Sequence, residues 1–172
     1  SVLAVAPGEN VPEGYTLLRR GELQWEKVAP MKTARNQHVV TVLDGKIYAI
    51  GGEGGRTSDL DSVECYDPIK NEWMYVAPMS QERFGSAGAT LNGKIYIVGG
   101  RSETARETAE VYDPSTNKWS AIAEPFYFRT LSNMAAHSHQ GKLLIIGGRA
   151  SPSSREMFAY DPITNRWTNL GN

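Results

Sequence analysis

Asp44-Gly-Lys-Ile-Tyr-Ala-Ile-Gly-Gly52 returns as Asn92-Gly-Lys-Ile-Tyr-Ile-Val-Gly-Gly100, and again as Gln140-Gly-Lys-Leu-Leu-Ile-Ile-Gly-Gly148. Each copy is followed by Tyr-Asp-Pro and then Trp, and the landmarks keep step. Gly51, Gly99 and Gly147 are spaced by 48 and 48 residues, Asp67, Asp113 and Asp161 by 46 and 48, and Trp25, Trp73, Trp119 and Trp167 by 48, 46 and 48. A period of this length marks one supersecondary unit that must stack on its neighbours to bury its apolar faces, as propeller blades do.

Four short strands can be read in each copy from alternation and turn residues. The first spans 37–43, 85–91 and 133–139. Asp44-Gly45 and Asn92-Gly93 are the dipeptides of a two-residue type I′ hairpin, and Gln140-Gly141 is a weaker version. The second strand, 46–50, 94–98 and 142–146, is apolar on both faces, which predicts a strand sandwiched between sheets. The Gly pair ends it where a side chain would collide or φ must turn positive. The third, 62–66, 109–112 and 157–160, stops at Asp-Pro because proline cannot donate to the ladder. The fourth begins with Trp. Tyr on the third strand and Trp on the fourth supply the apolar area by which small sheets stack.

These landmarks resemble the kelch family, over residues 25–172. The resemblance implies an all-β, kelch-type β-propeller with three full four-stranded blades, at about 35–77, 83–123 and 131–172. A worn partial N-terminal blade can be read upstream, because placing Trp25 on Trp73 lays Tyr15-Thr-Leu-Leu18 over Val63-Glu-Cys-Tyr66. The alternative for residues 1–24 is a linker, and Pro7, Gly8 and Pro12 favour one over residues 1–12. Propellers close with about four to eight blades, so the remaining blades are expected from a longer parent chain, six being the common kelch number, or from a second copy.

In the chain of 172 residues, 18 Lys and Arg nearly balance 19 Asp and Glu. No net field draws it to nucleic acid or an anionic membrane, and no apolar run approaches the roughly 20 residues of a membrane span. Cys65 is the only cysteine, so no internal disulfide forms and a cytoplasmic location is expected.

No motif for catalysis stands out. His137 and His139 alternate on one strand, a spacing that could offer two imidazoles to a metal, but in register they fall over Thr41 and Ala89 and over Leu43 and Leu91, which are framework positions. His38 is read as a lone strand histidine and Cys65 as a core thiol. The Gly pairs lack the lysine and hydroxyl of a phosphate loop, and Gly52-Glu-Gly-Gly55 reads as a flexible turn. Some kelch-type propellers are copper oxidases, but these histidines do not match such a site. No catalytic residue, metal or cofactor is expected.

Recognition is expected in the divergent segments 53–61, 101–108 and 149–156, since loops carry binding on a regular frame; a merely solvated surface is the alternative. In kelch adaptors, contacts come from the residue after the Gly pair and from the start of the first strand. By position that names Glu53, Arg101 and Arg149, with Asn36, Gln37, Ser132 and Asn133. The middle repeat departs, with Phe84 and Gly85 where its neighbours are polar, so the partner is not expected to be the acidic peptide some adaptors bind. The resemblance implies a non-catalytic protein-interaction module with two competing uses: actin binding and cross-linking, as in scruin-like cytoskeletal proteins, or presenting substrates to a cullin ubiquitin ligase, as in BTB-kelch adaptors.

Overall fold

The computed structural model of the protein describes residues 27–55, 58–101, 108–125, 132–148 and 156–171. They form three four-stranded antiparallel sheets and one small ribbon. Blade 1 holds β1 (Val39–Leu43), β2 (Lys46–Ile50), the ribbon strands β3 (Glu53–Gly54) and β4 (Ser58–Asp59), β5 (Val63–Asp67) and β6 (Glu72–Val76). Blade 2 holds β7 (Ala87–Leu91), β8 (Lys94–Val98), β9 (Ala109–Asp113) and β10 (Lys118–Ala121). Blade 3 holds β11 (Ala135–His139), β12 (Lys142–Ile146), β13 (Met157–Asp161) and β14 (Arg166–Asn169). In each sheet the strands lie in chain order. The first strands, β1, β7 and β11, pack on one another from blade to blade and so mark the inner side.

The hairpin dipeptides do what the sequence asks of them. Asp44 and Gly45 have φ of 51° and 72°, Asn92 and Gly93 52° and 71°, Gln140 and Gly141 47° and 73°, the left-handed pair a type I′ turn requires. Several boundaries differ from the sequence reading: the third strands run on to Asp67, Asp113 and Asp161, and the fourth begin one residue before Trp73, Trp119 and Trp167. The inner strands begin two residues later than 37, 85 and 133, because Gln37, Gly85 and Asn133 sit at φ of 50°, 61° and 56° and bond across blades. Gly85 N–H donates to the Gln37 carbonyl at 2.8 Å and Asn133 N–H to the Gly85 carbonyl at 2.7 Å. The segment read as a flexible turn after Gly52 instead pairs, Glu53 with Asp59 and Gly54 with Ser58.

Blades are joined by a repeated latch. Asn71, Asn117 and Asn165 take left-handed backbone at 51°, 51° and 53°, a conformation Asn tolerates better than most residues. Each carboxamide oxygen accepts the hydroxyl of its own blade's tyrosine, Tyr66, Tyr112 or Tyr160, at 2.8 to 2.9 Å. It also accepts the N–H of Ala29, Ala77 or Ala123, from the segment that enters the blade. The carbonyl of that same alanine accepts the indole N–H of Trp73, Trp119 or Trp167 at 2.7 to 2.9 Å. Tyrosine and tryptophan rings stack within each blade at 5.0 to 5.2 Å. Ala29 thus enters blade 1 as Ala77 enters blade 2; the partial blade read upstream lies in residues 1–26, outside the described residues.

Among the described residues most of the core lies in two seams. Tyr48, Ile50, Val63 and Cys65 of blade 1 pack on Ile95, Ile97 and Tyr112 of blade 2, and Tyr96, Val98 and Ala109 of blade 2 pack on Leu143, Ile145 and Tyr160 of blade 3. The apolar runs of β2 and β8 are buried on both faces, as their composition requires; β12 is buried on the face toward blade 2 only, and Ile146 is 44% exposed. Cys65 is buried, and burial pushes its thiol up from its ordinary value. No helix of the described residues is long and apolar enough to cross a membrane.

Candidate functional site

Antiparallel order puts the connections from second to third strand, and from each blade to the next, on one edge of the sheets; the tight hairpins lie on the other. This connection-bearing rim is anchored by two buried ion pairs. Arg35 Nη1 donates to the carbonyls of Gly51 at 2.8 Å and Ser62 at 3.0 Å, and its Nη2 to Glu64 Oε1 at 2.7 Å. Arg83 repeats this with Gly99, Thr108 and Glu110, at 2.9, 3.2 and 2.7 Å. The carboxylates also receive the entering segment: Glu64 accepts from Lys32 N–H and Thr33 N–H, Glu110 from Ser80 N–H. One arginine therefore ties both ends of a rim loop to the strand beneath it.

Burial pushes the Glu64 carboxyl up, but the Arg35 guanidinium and the Lys32 and Thr33 N–H groups outweigh that and hold it below the ordinary carboxylate range. For Arg83 burial dominates and lowers its affinity for the proton against the pull of Glu110, though guanidinium stays charged in any case. Blade 3 departs: Phe158 stands where Glu64 and Glu110 do, buried against Met134 and Trp167.

The rim residues named from sequence meet in pairs. Asn36 and Glu53 exchange two backbone hydrogen bonds, at 3.0 and 2.9 Å, and Phe84 and Arg101 do the same at 3.2 and 2.8 Å. Gln37 Nε2 reaches Glu53 Oε2 at 3.2 Å. The exposed Arg101 guanidinium lies 5.8 Å from the Phe84 ring centre, a cation–π distance. At Gly85 a Cβ would stand 2.8 Å from Asn133 Oδ1 and 3.7 Å from Gln37 Oε1, so the two carboxamides flank the glycine. Asn36, Gln37 and Asn133 are exposed, Glu53 is half-buried and Ser132 is buried. Arg149 lies outside the described residues.

Sequence reasoning missed Arg35, Glu64, Arg83 and Glu110 as supports of this rim. The signal was present, since arginine recurs after 48 residues and glutamate after 46 within framework register. Among the described residues no group of three or more His, Cys, Asp or Glu could hold a metal. His38 is half-buried beside Gly52. His137 and His139 hold the framework register but are exposed, because they lie on the outward face of blade 3.

A family model described as the Kelch motif matches residues 34–80, 82–125 and 130–172. The chain belongs to the kelch-repeat family. It is 54% identical over 113 residues to Kelch-like protein 30 of Homo sapiens, covering 65% of this chain and 19% of that protein. It is 57% identical over 97 residues to human Kelch-like protein 24, covering 55% and 16%, and 44% identical over 45 residues to alpha-scruin of Limulus polyphemus, covering 26% and 5%. The chain spans less than a fifth of these relatives. Among solved structures, YjhT superposes with a TM-score of 0.74 at 22% identity, over 89% of this chain and 57% of that one; this kelch propeller shares the fold.

Proposed function

We propose that the chain is a non-catalytic protein-interaction module that binds a protein partner at the connection-bearing rim. The observation that carries the reading is the pairing of Asn36 with Glu53 and of Phe84 with Arg101. It sets two chemically different pairs, one acidic and amide-bearing, the other cationic and aromatic, on a frame pinned by buried arginines. Asn133 extends this surface into blade 3, over the buried Ser132; Arg149 joins the proposal from its repeat position in the sequence alone. A planar, forked guanidinium held over an aromatic ring is pre-organised to meet a partner's carboxylate or carbonyl. The rest of the propeller comes from further blades.

Of the two uses, actin binding and cross-linking in the cytoskeleton rests on likeness to scruin, which extends over 45 residues. Presenting substrates to a cullin ubiquitin ligase is the second reading. The 113-residue match to a Kelch-like protein rather than to scruin favours it. Co-sedimentation with filamentous actin separates them. Pelleting that Arg101→Ala abolishes supports the first; a clear supernatant beside cullin-dependent loss of a bound partner supports the second.

A further inference from the structure

The three hairpins that join first to second strand set different residues on one geometry. Asp44, Asn92 and Gln140 have φ of 51°, 52° and 47°, and the glycines that follow have 72°, 71° and 73°. The chain thus holds a natural series at one turn position, and only its middle member is an Asn-Gly pair. Asn92 and Gly93 are exposed at the hairpin edge, and a Cβ on Gly93 would meet nothing within 4 Å. Strand pairing ends at Leu91 and Lys94, so the Gly93 N–H is left outside the ladder. The latch asparagines share the backbone but not the setting. Asn71, Asn117 and Asn165 have φ of 51° to 53° and are exposed too. Yet each of their carboxamide oxygens accepts two hydrogen bonds, and Glu72, Lys118 or Arg166 follows. The Asn92 carboxamide has no such bond among the described residues.

We propose that Asn92 is a site of spontaneous deamidation through a succinimide, that its aspartyl product leaves the hairpin intact, and that its isoaspartyl product opens the hairpin and makes the chain a methyl acceptor for an isoaspartate methyltransferase. The Gly93 nitrogen, its proton taken by solvent base, attacks Asn92 Cγ; the Cγ–Nδ2 bond breaks, and ammonia leaves with a proton from water. Water then opens the five-membered imide. Breaking the bond from Gly93 N to Cγ gives aspartate, and breaking the bond from Gly93 N to the main-chain carbonyl carbon gives isoaspartate. Ring closure needs the turn to swing open, which an unpacked tip followed by a residue without Cβ permits. Gln140 would have to close a larger ring and Asp44 to lose water rather than ammonia, so neither keeps pace. Asp44 shows that aspartate fits this turn, at φ of 51°. Where aspartate already stands there, Lys46 and Asp67 lie 3.6 Å apart, against 2.9 Å for Lys94 and Asp113, and pairs so exposed contribute little. Isoaspartate instead adds a methylene to the main chain, which a two-residue type I′ turn cannot absorb without breaking the rung between Leu91 and Lys94. Leu91 is 6% exposed, packed in the seam with blade 3. The site lies on the edge opposite the rim and stands apart from the rim's partner.

The test incubates the purified 172-residue chain in mildly alkaline buffer at physiological temperature and follows each asparagine by peptide mapping with mass spectrometry. Isoaspartate is read as methyl transfer from S-adenosylmethionine by an isoaspartate methyltransferase. The expected result is that Asn92 converts roughly ten-fold or more faster than Asn71, Asn117 and Asn165, with both aspartyl forms present and the rate rising with pH. Asn92→Asp should keep the wild-type thermal midpoint, whereas the aged chain, of the same charge but carrying isoaspartate, should melt lower. Asn92→Gln, which copies the turn of the third repeat, should abolish the methyl acceptor. The proposal is overturned if Asn92 persists as long as the latch asparagines, or if the Asn92→Gln chain accepts methyl groups as well as wild type does. It is also overturned if Asn92→Asp melts as low as the aged chain.

Discussion

The indole N–H of Trp119 donates to the carbonyl of Ala77 at 2.8 Å, a bond between blade 2 and the segment that leaves blade 1. The N–H of the same alanine is held by Asn117, which also takes the Tyr112 hydroxyl. Every repeat carries this arrangement, so the tryptophan and asparagine that mark the sequence period are the groups that bind blade to blade.

Asn117→Ala removes an acceptor shared by two donors and places a Cβ-bearing residue without a local side-chain bond at φ of 51°. Lost hydrogen bonding and left-handed backbone together should cost about 2 to 4 kcal/mol. Asn117→Gly should cost less, because it relieves the backbone part. Urea midpoints of the two variants against wild type give the measurement, and equal losses would show that backbone conformation contributes little.

Glu110→Ala leaves the Arg83 guanidinium buried without its carboxylate, and breaking such a pair should destabilise by about 3 to 5 kcal/mol. Blade 3 shows the alternative, since Phe158 occupies the equivalent position. The double variant Arg83→Leu with Glu110→Phe should therefore be more stable than Glu110→Ala alone, by chemical denaturation. A double variant no better than the single one would mean that the pair's bonds to the Gly99 and Thr108 carbonyls matter more than its charge.

Gly51 has φ of 62°, and a Cβ there would stand 2.5 Å from the Arg83 carbonyl oxygen. Gly51→Ala combines left-handed strain with a clash against the backbone of the next blade, so a loss of more than about 2 kcal/mol is expected. Gly55→Ala, at φ of 64° but with nothing within 4 Å, should lose only the conformational part. The difference in thermal midpoint between these two variants isolates the close approach between blades.

Asp113 is held down to about 2, from an ordinary 3.8, chiefly by the Ser115 hydroxyl and then by Lys94. A carboxyl whose pKa is lowered in the folded state contributes stability above its unfolded value and loses it as pH falls through the folded one. Stability should therefore decline between pH of about 4 and about 2 in part through this turn. Ser115→Ala should raise the Asp113 value, read by NMR titration, and flatten that part of the acid limb.

The repeat period disclosed the blades because each landmark has a single physical role. Gly51 avoids a collision, Asn-Gly takes a left-handed turn, and Trp latches the preceding segment. β2, β8 and β12 each hold a lysine and the apolar run that follows it, and end where that run does. The starts of the inner strands were not legible, since the bonds that turn Gln37, Gly85 and Asn133 aside come from neighbouring blades about 48 residues away. The pairing of Asn36 with Glu53 was not legible, because the two are brought together by the folded loop that Arg35 ties to Gly51, Ser62 and Glu64. His137 and His139 were placed correctly in the frame, yet both are exposed, because among the described residues no further blade packs on that face of blade 3.

Site-specific photo-cross-linking tests the rim reading most directly. A photoreactive amino acid is placed at Gln37 or Asn133 on the rim, and at Ile69 on the hairpin edge, where the side chain is 96% exposed. The account predicts that one discrete partner is captured from the two rim positions and not from Ile69, and that Arg101→Ala weakens its capture without shifting the thermal midpoint. Capture confined to Ile69, or capture from the rim that is indifferent to Arg101, would contradict it.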